Sequence, residues 1–303
     1  MNDFKPPKQT ACARTKRTAP LIYAWSLFRP THTSQFTAFR LLVMWAFVGC
    51  VTIGCKPPSP SDDTQTAIRL VSVAAASDLR FALEELIFEF EKEHKDIRIR
   101  TTYGSSGNFF AQLSNRAPFD IFFSADANYP LLLCDGALAD RGRLLPYAIG
   151  QIVVWVPYNS PIDVETLHMD ALRHESARKI AIANPLHAPY GRAAEAAMKT
   201  LGVYEHVQNN LVVGENIAQA AQFVESGAAD IGIIALSLAL SPAMQQRGRY
   251  WLIPIESYPR MDQVCVIMNW AEDPQATATF QDFVVGPSGR EILQKYGFIM
   301  PDE

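Results

Sequence analysis

Short apolar runs alternate with amphipathic stretches along the chain from residue 68 onward. Residues 68–76 form an apolar run that predicts a buried strand, whereas the apolar residues in 79–93 recur at helical spacing. The alternation continues almost to the last residue. It predicts further strands at 97–103, 120–124, 151–157, 179–183, 211–213, 230–236 and 263–268, and further helices at 108–115, 129–134, 191–201, 218–226 and 277–296, the last interrupted at Gly286-Pro287.

This order of elements predicts an α/β fold, because strands that alternate with helices usually form parallel sheets. Two successive series of strands and helices indicate two lobes. We expect one lobe to comprise residues 67–150 plus 258–303 and the other 151–257. A ligand would then bind in the cleft that the carboxyl ends of both sets of strands face.

The first 55 residues have a different pattern. Arg40 precedes an apolar run of 14 residues, 41–54, which is too short for a comfortable membrane span and typical of a signal peptide. The run ends at Cys55 in a segment that resembles a bacterial lipoprotein signal. We therefore predict a leader at 1–55, lipidation of Cys55, and a polar, proline-rich tether at 56–66.

Several alternatives to this leader remain open. Cys50 is a second, poorer cleavage position, and an ordinary cleaved signal or an uncleaved anchor helix would also suit the apolar run. The long segment before Arg40 also leaves room for an internal start, for example at Met44. With these alternatives open, we still expect the folded part to lie outside the cytoplasm, in the periplasm or an equivalent compartment.

Charge and cysteine content narrow the classes of function. A net charge of −4 provides no basic field for nucleic acid, although short-range donors can still hold a small anion. Cys134 and Cys265 are isolated in apolar segments beyond the leader. Their spacing indicates neither a metal site nor a disulfide framework, so we expect buried free thiols.

Four predicted strand-to-helix junctions carry small or polar residues. The first N–H groups of a helix lack intrahelical partners and lie at the positive end of its dipole, so several helix starts aimed at one point form an anion site. Such a site satisfies a fully deprotonated tetrahedral dianion, whereas the proton of a protonated phosphate would lack an acceptor, at about 1–3 kcal/mol. Each junction alone indicates no more than a helix cap or turn. The four are Ala76-Ser77-Asp78, Gly104-Ser105-Ser106-Gly107, Ala188-Pro189-Tyr190-Gly191 and Gly214-Glu215-Asn216-Ile217.

Taken together, these motifs resemble those of the molybdate-binding receptors of bacterial ABC importers. The resemblance rests on Ala74–Ser77, Gly104–Gly107, Ala117–Asp126, Asn184–Gly191, Ala229–Ser237 and the closing Gly286-Pro287 and Tyr296-Gly297-Phe298, and it extends over residues 68–300. It implies a periplasmic binding protein of type II, with two lobes that each contain a mixed, mainly parallel sheet flanked by helices. It also implies molybdate or tungstate as ligand, no cofactor, an ABC permease as partner and a monomeric receptor.

The resemblance also implies which residues bind the anion. They are Ser77, Ser106, Tyr190 and Ile217, the last two through backbone N–H groups, and they reach the metal only through the oxygens of the anion. Many members add a tyrosine where this chain has Ala235. Members with the Ala-Pro-Tyr-Gly motif recruit instead the residue after the first serine or threonine, which here is Asp78.

Asp78 is a departure from an all-donor site, because a buried carboxylate repels a dianion. One interpretation is that Asp78 contributes its backbone N–H and turns its side chain towards the unpaired amides of the helix start. The other is that it accepts a proton from an oxyanion such as hydrogen phosphate or arsenate. We expect Asp126 to hold a turn together, and Arg192, His94 and His187 to lie on loops or the surface.

Three further functions remain as alternatives. The chain could bind sulfate, phosphate or arsenate, or act as a sensory or anion-relay domain. It could also be an exported enzyme with Ser77 or Ser106 as nucleophile. The sequence has neither a Gly-x-Ser-x-Gly elbow nor a histidine whose position in the chain pairs it with either serine, so we expect a receptor rather than an enzyme.

Overall fold

The computed structural model describes residues 67–301. The predicted leader 1–55, its Cys55, and the tether up to residue 66 lie outside the described residues. Within 67–301, no helix is both long enough and apolar enough to cross a membrane.

The described chain alternates strands and helices. The strands are β1 (Arg69–Ala76), β2 (Ile97–Gly104), β3 (Ile121–Ser124), β4 (Leu145–Gly150), β5 (Ile152–Pro157), β6 (Ile180–Ala183), β7 (Leu211–Gly214), β8 (Ile231–Ala235), β9 (Gly248–Leu252) and β10 (Met261–Ile267). The α-helices are α1 (Arg80–Glu93), α2 (Ser106–Ser114), α3 (Asn128–Asp135), α4 (Val164–Leu167), α5 (Pro189–Thr200), α6 (Tyr204–Val207), α7 (Ile217–Glu225), α8 (Leu236–Ala239), α9 (Pro242–Gln245), α10 (Pro274–Val285) and α11 (Pro287–Lys295). Short 3-10 helices lie at Ser77–Leu79, Arg141–Arg143, His168–Arg173, Gln208–Asn210 and Ile255–Ser257.

The strands form two five-stranded sheets. The first has the order β2-β1-β3-β10-β4 and the second the order β7-β6-β8-β5-β9. In the first sheet β10 runs antiparallel to both neighbours, and in the second β5 does so, whereas the remaining strand pairs are parallel. Each sheet is therefore mixed and mainly parallel in strand direction, which confirms the predicted fold class.

The chain passes between the sheets twice. It leaves the first sheet at Gly150, crosses at Gln151 and enters the second at Ile152. It returns between the end of β9 and the start of β10. The first sheet thus takes its strands from the beginning and end of the described chain, and the second from the middle.

Two strands were missed by the hydrophobic pattern, and both are at sheet edges. Strand β4 contains Pro146, whose missing N–H weakens a strand signal and is tolerated at an edge. Strand β9 begins with Gly248 and Arg249 before its aromatic residues, so no apolar alternation marks it. Helices α2 and α5 also begin two residues earlier than predicted, at Ser106 and Pro189.

The two cysteines of the described chain are free and buried, as predicted. Cys265 lies in β10 against the helices of the first sheet, and burial raises the pKa of its thiol to about 12. An apolar environment disfavours the charged thiolate. Both residues are therefore part of the packed interior.

Candidate anion-binding site

All four motifs lie at helix starts in the structure. Ser77 opens the short 3-10 helix that joins β1 to α1, and Ser106 is the first residue of α2. Tyr190 is the second residue of α5, after Pro189, and Ile217 is the first of α7. The first two starts follow strands of the first sheet, and the other two belong to the second sheet's helices.

Ser77 joins the first sheet to the start of α7. Its buried hydroxyl donates to Asn216 Oδ1 at 3.2 Å and accepts from Ala218 N–H at 3.3 Å. Asn216 is the N-cap of α7, since its Oδ1 also accepts from Gln219 N–H at 3.1 Å. Ser77 itself caps no helix. Two of the predicted anion-binding segments therefore meet across the sheets.

Ser106 lies at the second meeting point. Its fully buried hydroxyl oxygen accepts the Ala125 N–H at 2.9 Å, which leaves the hydroxyl hydrogen free to point elsewhere. One residue on, Gly107 N–H donates to the His187 carbonyl at 2.9 Å. A Cβ on Gly107 would lie 2.6 Å from that carbonyl oxygen, so glycine permits the close approach of α2 to the loop before α5.

Asp78 is the centre of a buried polar network. Its Oδ2 accepts the Tyr190 hydroxyl at 2.9 Å and the Gln263 Nε2 at 2.8 Å, and that amide also lies 3.0 Å from the Tyr190 hydroxyl. Tyr147 donates to Gln263 Oε1 at 2.7 Å. A Cβ on Gly150, where the chain leaves the first sheet, would lie 2.4 Å from the Tyr190 hydroxyl. The network thus joins both sheets beside a crossover.

The side chain of Asp78 interacts both with partners from other elements and with the N–H groups of its own helix start. The cap residues of the 3-10 helix and α1, Ala76 and Leu79, make no side-chain cap, but the N–H groups of Asp78 and Leu79 act on the Asp78 carboxylate and lower its pKa. The hydroxyl of Tyr190 in α5 and the amide of Gln263 in β10 donate the two side-chain hydrogen bonds that Oδ2 accepts. Ser237, in α8, holds the backbone of Asp78 by donating to its carbonyl at 2.8 Å.

Burial controls the ionisation of this network. Desolvation raises the pKa of Asp78 to about 6, against the opposing effect of hydrogen bonds from Gln263 and Tyr190, which favour the charged form. Desolvation likewise raises the pKa of Tyr147 and Tyr190 well above the usual value for a phenol. Asp78 makes no ion pair within residues 67–301. Near neutral pH the network thus contains a carboxylate whose charge is uncompensated.

Two residues expected to be peripheral also connect the sheets. Arg192 is partly exposed, as expected, but it also forms an ion pair with Asp126 at 2.5 Å and donates to the Tyr129 hydroxyl at 3.3 Å. Asp126 accepts the Asn128 N–H at 2.9 Å, which agrees with its expected role in the turn. His187 also does more than occupy a loop, since its Nε2 lies 3.0 Å from the Glu215 carbonyl.

Sequence reasoning missed Gln263 and Tyr147. Tyr147 lies in the unpredicted strand β4, and Gln263 lies inside the apolar strand β10. A glutamine in an apolar, buried strand needs a buried hydrogen-bond partner, so Gln263 in the sequence already indicated a polar group beside β10. Ala235, by contrast, is fully buried at the end of β8 and offers no side-chain donor.

Comparison with known proteins identifies relatives of the whole described chain. A family model described as bacterial extracellular solute-binding protein matches residues 71–299. The molybdate-binding protein ModA of Azotobacter vinelandii is 34% identical over 232 residues, which cover 75% of this chain and 89% of that protein. The putative ABC transporter substrate-binding lipoprotein YvgL of Bacillus subtilis is 31% identical over 87% of this chain and 99% of its own length. The solved periplasmic molybdate-binding protein of Azotobacter vinelandii superposes with a TM-score of 0.72 and 31% identity, covering 77% of this chain and all of that one.

Proposed function

The chain belongs to the bacterial extracellular solute-binding proteins, and we propose that it captures molybdate or tungstate and delivers it to an ABC importer. The names of its relatives support this ligand, since ModA of Azotobacter vinelandii is a molybdate-binding protein. One structural observation carries the proposal beyond the names: helix starts from the two sheets meet in pairs, as an anion site built from helix N-termini requires.

We propose Ser77, Ser106, Tyr190 and Ile217 as the anion-binding residues, with the backbone N–H of Asp78 as a fifth donor. Ser106 is well suited because the Ala125 amide fixes its oxygen and its hydroxyl hydrogen remains available. Tyr190 and Ile217 lie in the first turns of α5 and α7, where N–H groups lack intrahelical acceptors. All five donate to oxygens of the anion, and none is a ligand of the metal atom.

We also propose that the two sheets mark two lobes, 67–150 plus 258–303 and 151–257, which close on the anion. The two crossovers between the sheets support these boundaries, since they are the covalent connections about which such lobes would rotate. The hydrogen bonds of Ser77, Gly107 and Tyr190 would then be contacts of the closed state.

The contacts of Ser77 and Ser106 favour a receptor over an enzyme with a serine nucleophile. Ser77 contacts an amide oxygen and a backbone N–H, and Ser106 contacts a backbone N–H. Within the described residues, neither hydroxyl has a histidine or carboxylate partner that could act as general base. We therefore expect anion binding without turnover.

Calorimetric titration with molybdate, tungstate, sulfate and phosphate tests the function. We expect one-to-one binding of the first two anions and far weaker binding of the others. Ser77→Ala and Ser106→Ala should each weaken molybdate binding by about 10- to 150-fold, because a hydrogen bond to a charged group contributes about 1.5–3 kcal/mol. Ser114→Ala, at the other end of α2 and exposed, is the control that should bind normally. Tightest binding of phosphate, or normal binding by both site variants, would contradict the proposal.

The location and partners follow from the same function. We propose a periplasmic or extracytoplasmic receptor, monomeric, that docks on an ABC permease and is tethered to the membrane by a lipid on Cys55. The resemblance of the segment before Cys55 to a lipoprotein signal supports the tether, as does the lipoprotein name of the Bacillus subtilis relative. Metabolic labelling with a fatty acid should be lost in Cys55→Ala and retained in Cys50→Ala. Labelling that survives Cys55→Ala would exclude this anchor.

A further inference from the structure

The carboxylate of Asp78 is in an unusual position for a protein that binds a dianion. It is about 1% exposed, directly follows Ser77, and accepts a hydrogen bond from Tyr190. Two of the proposed anion-binding segments therefore flank it. A negative charge here repels the negative anion, and little solvent is present to screen the repulsion.

The two carboxylate oxygens of Asp78 have different surroundings. Oδ2 accepts from both Tyr190 and Gln263, whereas Oδ1 is buried and has no hydrogen-bond partner among residues 67–301. A proton that binds Asp78 therefore goes to Oδ1, since Oδ2 already faces two donors. Protonated Oδ1 is a hydrogen-bond donor, which is the kind of group that a tetrahedral dianion needs.

The groups around Asp78 cannot neutralise it in another way. Tyr190 faces it from α5 and Tyr147 acts on it from β4, and both are phenols whose burial raises their pKa. Gln263 from β10 is neutral, and Ser237 from α8 contacts only the backbone. The nearest cation along the chain, Arg80, lies over the ring of Tyr103 instead.

We propose that Asp78 makes oxyanion capture proton-coupled, so that the closed site holds one dianion together with one proton on Asp78 Oδ1. The inference rests on the proposed oxyanion function. The proton comes from solvent on binding and returns to solvent on release. Asp78 would then be a donor in the complex, although it is a carboxylate in the free protein near neutral pH.

The sign of the pH dependence follows from the two states. In the protein without anion the pKa of Asp78 is about 6, and the charge of a bound dianion raises it further. At a pH between these two pKa values, Asp78 is protonated in the complex and ionised in the free protein, so binding takes up one proton. Affinity for molybdate should therefore fall by about tenfold for each pH unit above 6 and level off below it.

Calorimetry with purified protein tests the proton directly. Molybdate is titrated at pH 7.5 in two buffers with different ionisation enthalpies, and the difference between the observed enthalpies gives the protons taken up. We expect about one proton per molybdate for the wild-type protein. Asp78→Asn should bind with no proton uptake and with an affinity that does not change between pH 6 and 8.

Asp126→Asn is the matched control, because it removes another carboxylate that lies between the two sheets without touching the Asp78 network. It should keep the proton uptake and the pH slope. Tight molybdate binding by the wild-type protein without proton uptake, or uptake that persists in Asp78→Asn, would overturn the inference and leave the receptor function intact. If none of the four anions binds, the receptor function itself fails. The wild-type proton count decides the question even if Asp78→Asn does not fold.

Discussion

Replacing Tyr190 by phenylalanine tests whether the buried network is held by a charge. The phenol donates to Asp78 Oδ2 at 2.9 Å, and the side chain is about 2% exposed. Phenylalanine keeps the ring and removes only this oxygen, so the loss of packing is small. The substitution removes the hydrogen bond to the ionisable Asp78 together with the contact of the hydroxyl with the neutral Gln263 amide at 3.0 Å, and only the first should depend on pH.

The size of the effect should depend on pH. Above pH 7 Asp78 is mainly ionised, because its pKa is about 6, and loss of a hydrogen bond to a charged group should cost about 1.5–3 kcal/mol of unfolding free energy. Near pH 5 Asp78 is mainly protonated and the lost bond is a neutral one, which contributes about 0.5–1.5 kcal/mol. We expect Tyr190→Phe to lower the melting temperature by roughly 3–12 °C at pH 8 and by less at pH 5.

Urea unfolding at pH 5 and pH 8 measures both values. Tyr258→Phe is the matched control, since the hydroxyl of this buried tyrosine accepts the backbone N–H of Ile152 at 3.4 Å and has no ionisable partner in the described part of the chain. Its loss should cost the same at both pH values. Equal destabilisation by Tyr190→Phe at pH 5 and pH 8 would refute the assignment of charge to Asp78.

Three more predictions follow from the structure. The pKa of Asp78 is about 4 in the unfolded chain and about 6 in the folded protein, so the wild-type protein should lose roughly 3 kcal/mol of stability as the pH rises between these values. Urea unfolding of wild type and Asp78→Asn at pH 4 and pH 7 measures this loss. A stability difference between the two proteins that is the same at both pH values would contradict it. Arg192→Ala should weaken anion binding less than tenfold and only at low salt, because the ion pair of Arg192 with Asp126 is partly exposed. Calorimetry measures the affinity, and a large loss of affinity that does not depend on salt would show that Arg192 contacts the anion. Cys265 should resist alkylation in the native protein at pH 8 and react after denaturation, since burial raises its pKa to about 12. Mass spectrometry of the labelled peptide measures the reaction. Rapid labelling of the native protein would show that β10 opens.

The sequence by itself determined the order of the elements and the chemistry of the helix starts. Apolar runs between amphipathic stretches predicted the central strands and all the long helices, because burial on both faces leaves a strong hydrophobic signal. The edge strands β4 and β9 escaped because Pro146 and Gly248 interrupt their apolar pattern, and a sheet edge tolerates such residues. The four junction motifs were visible because serine, glycine and proline are selected locally at helix starts.

Only the tertiary structure decided what those helix starts meet. The contacts of Ser77 with α7 and of Gly107 with His187 join residues far apart in the chain, and no local pattern encodes such pairs. The same holds for Asp78, whose partners come from α5 and β10. Sequence identified an acidic residue in a donor-rich motif, but its partners, its burial and its raised pKa arise from the packing of two sheets around it.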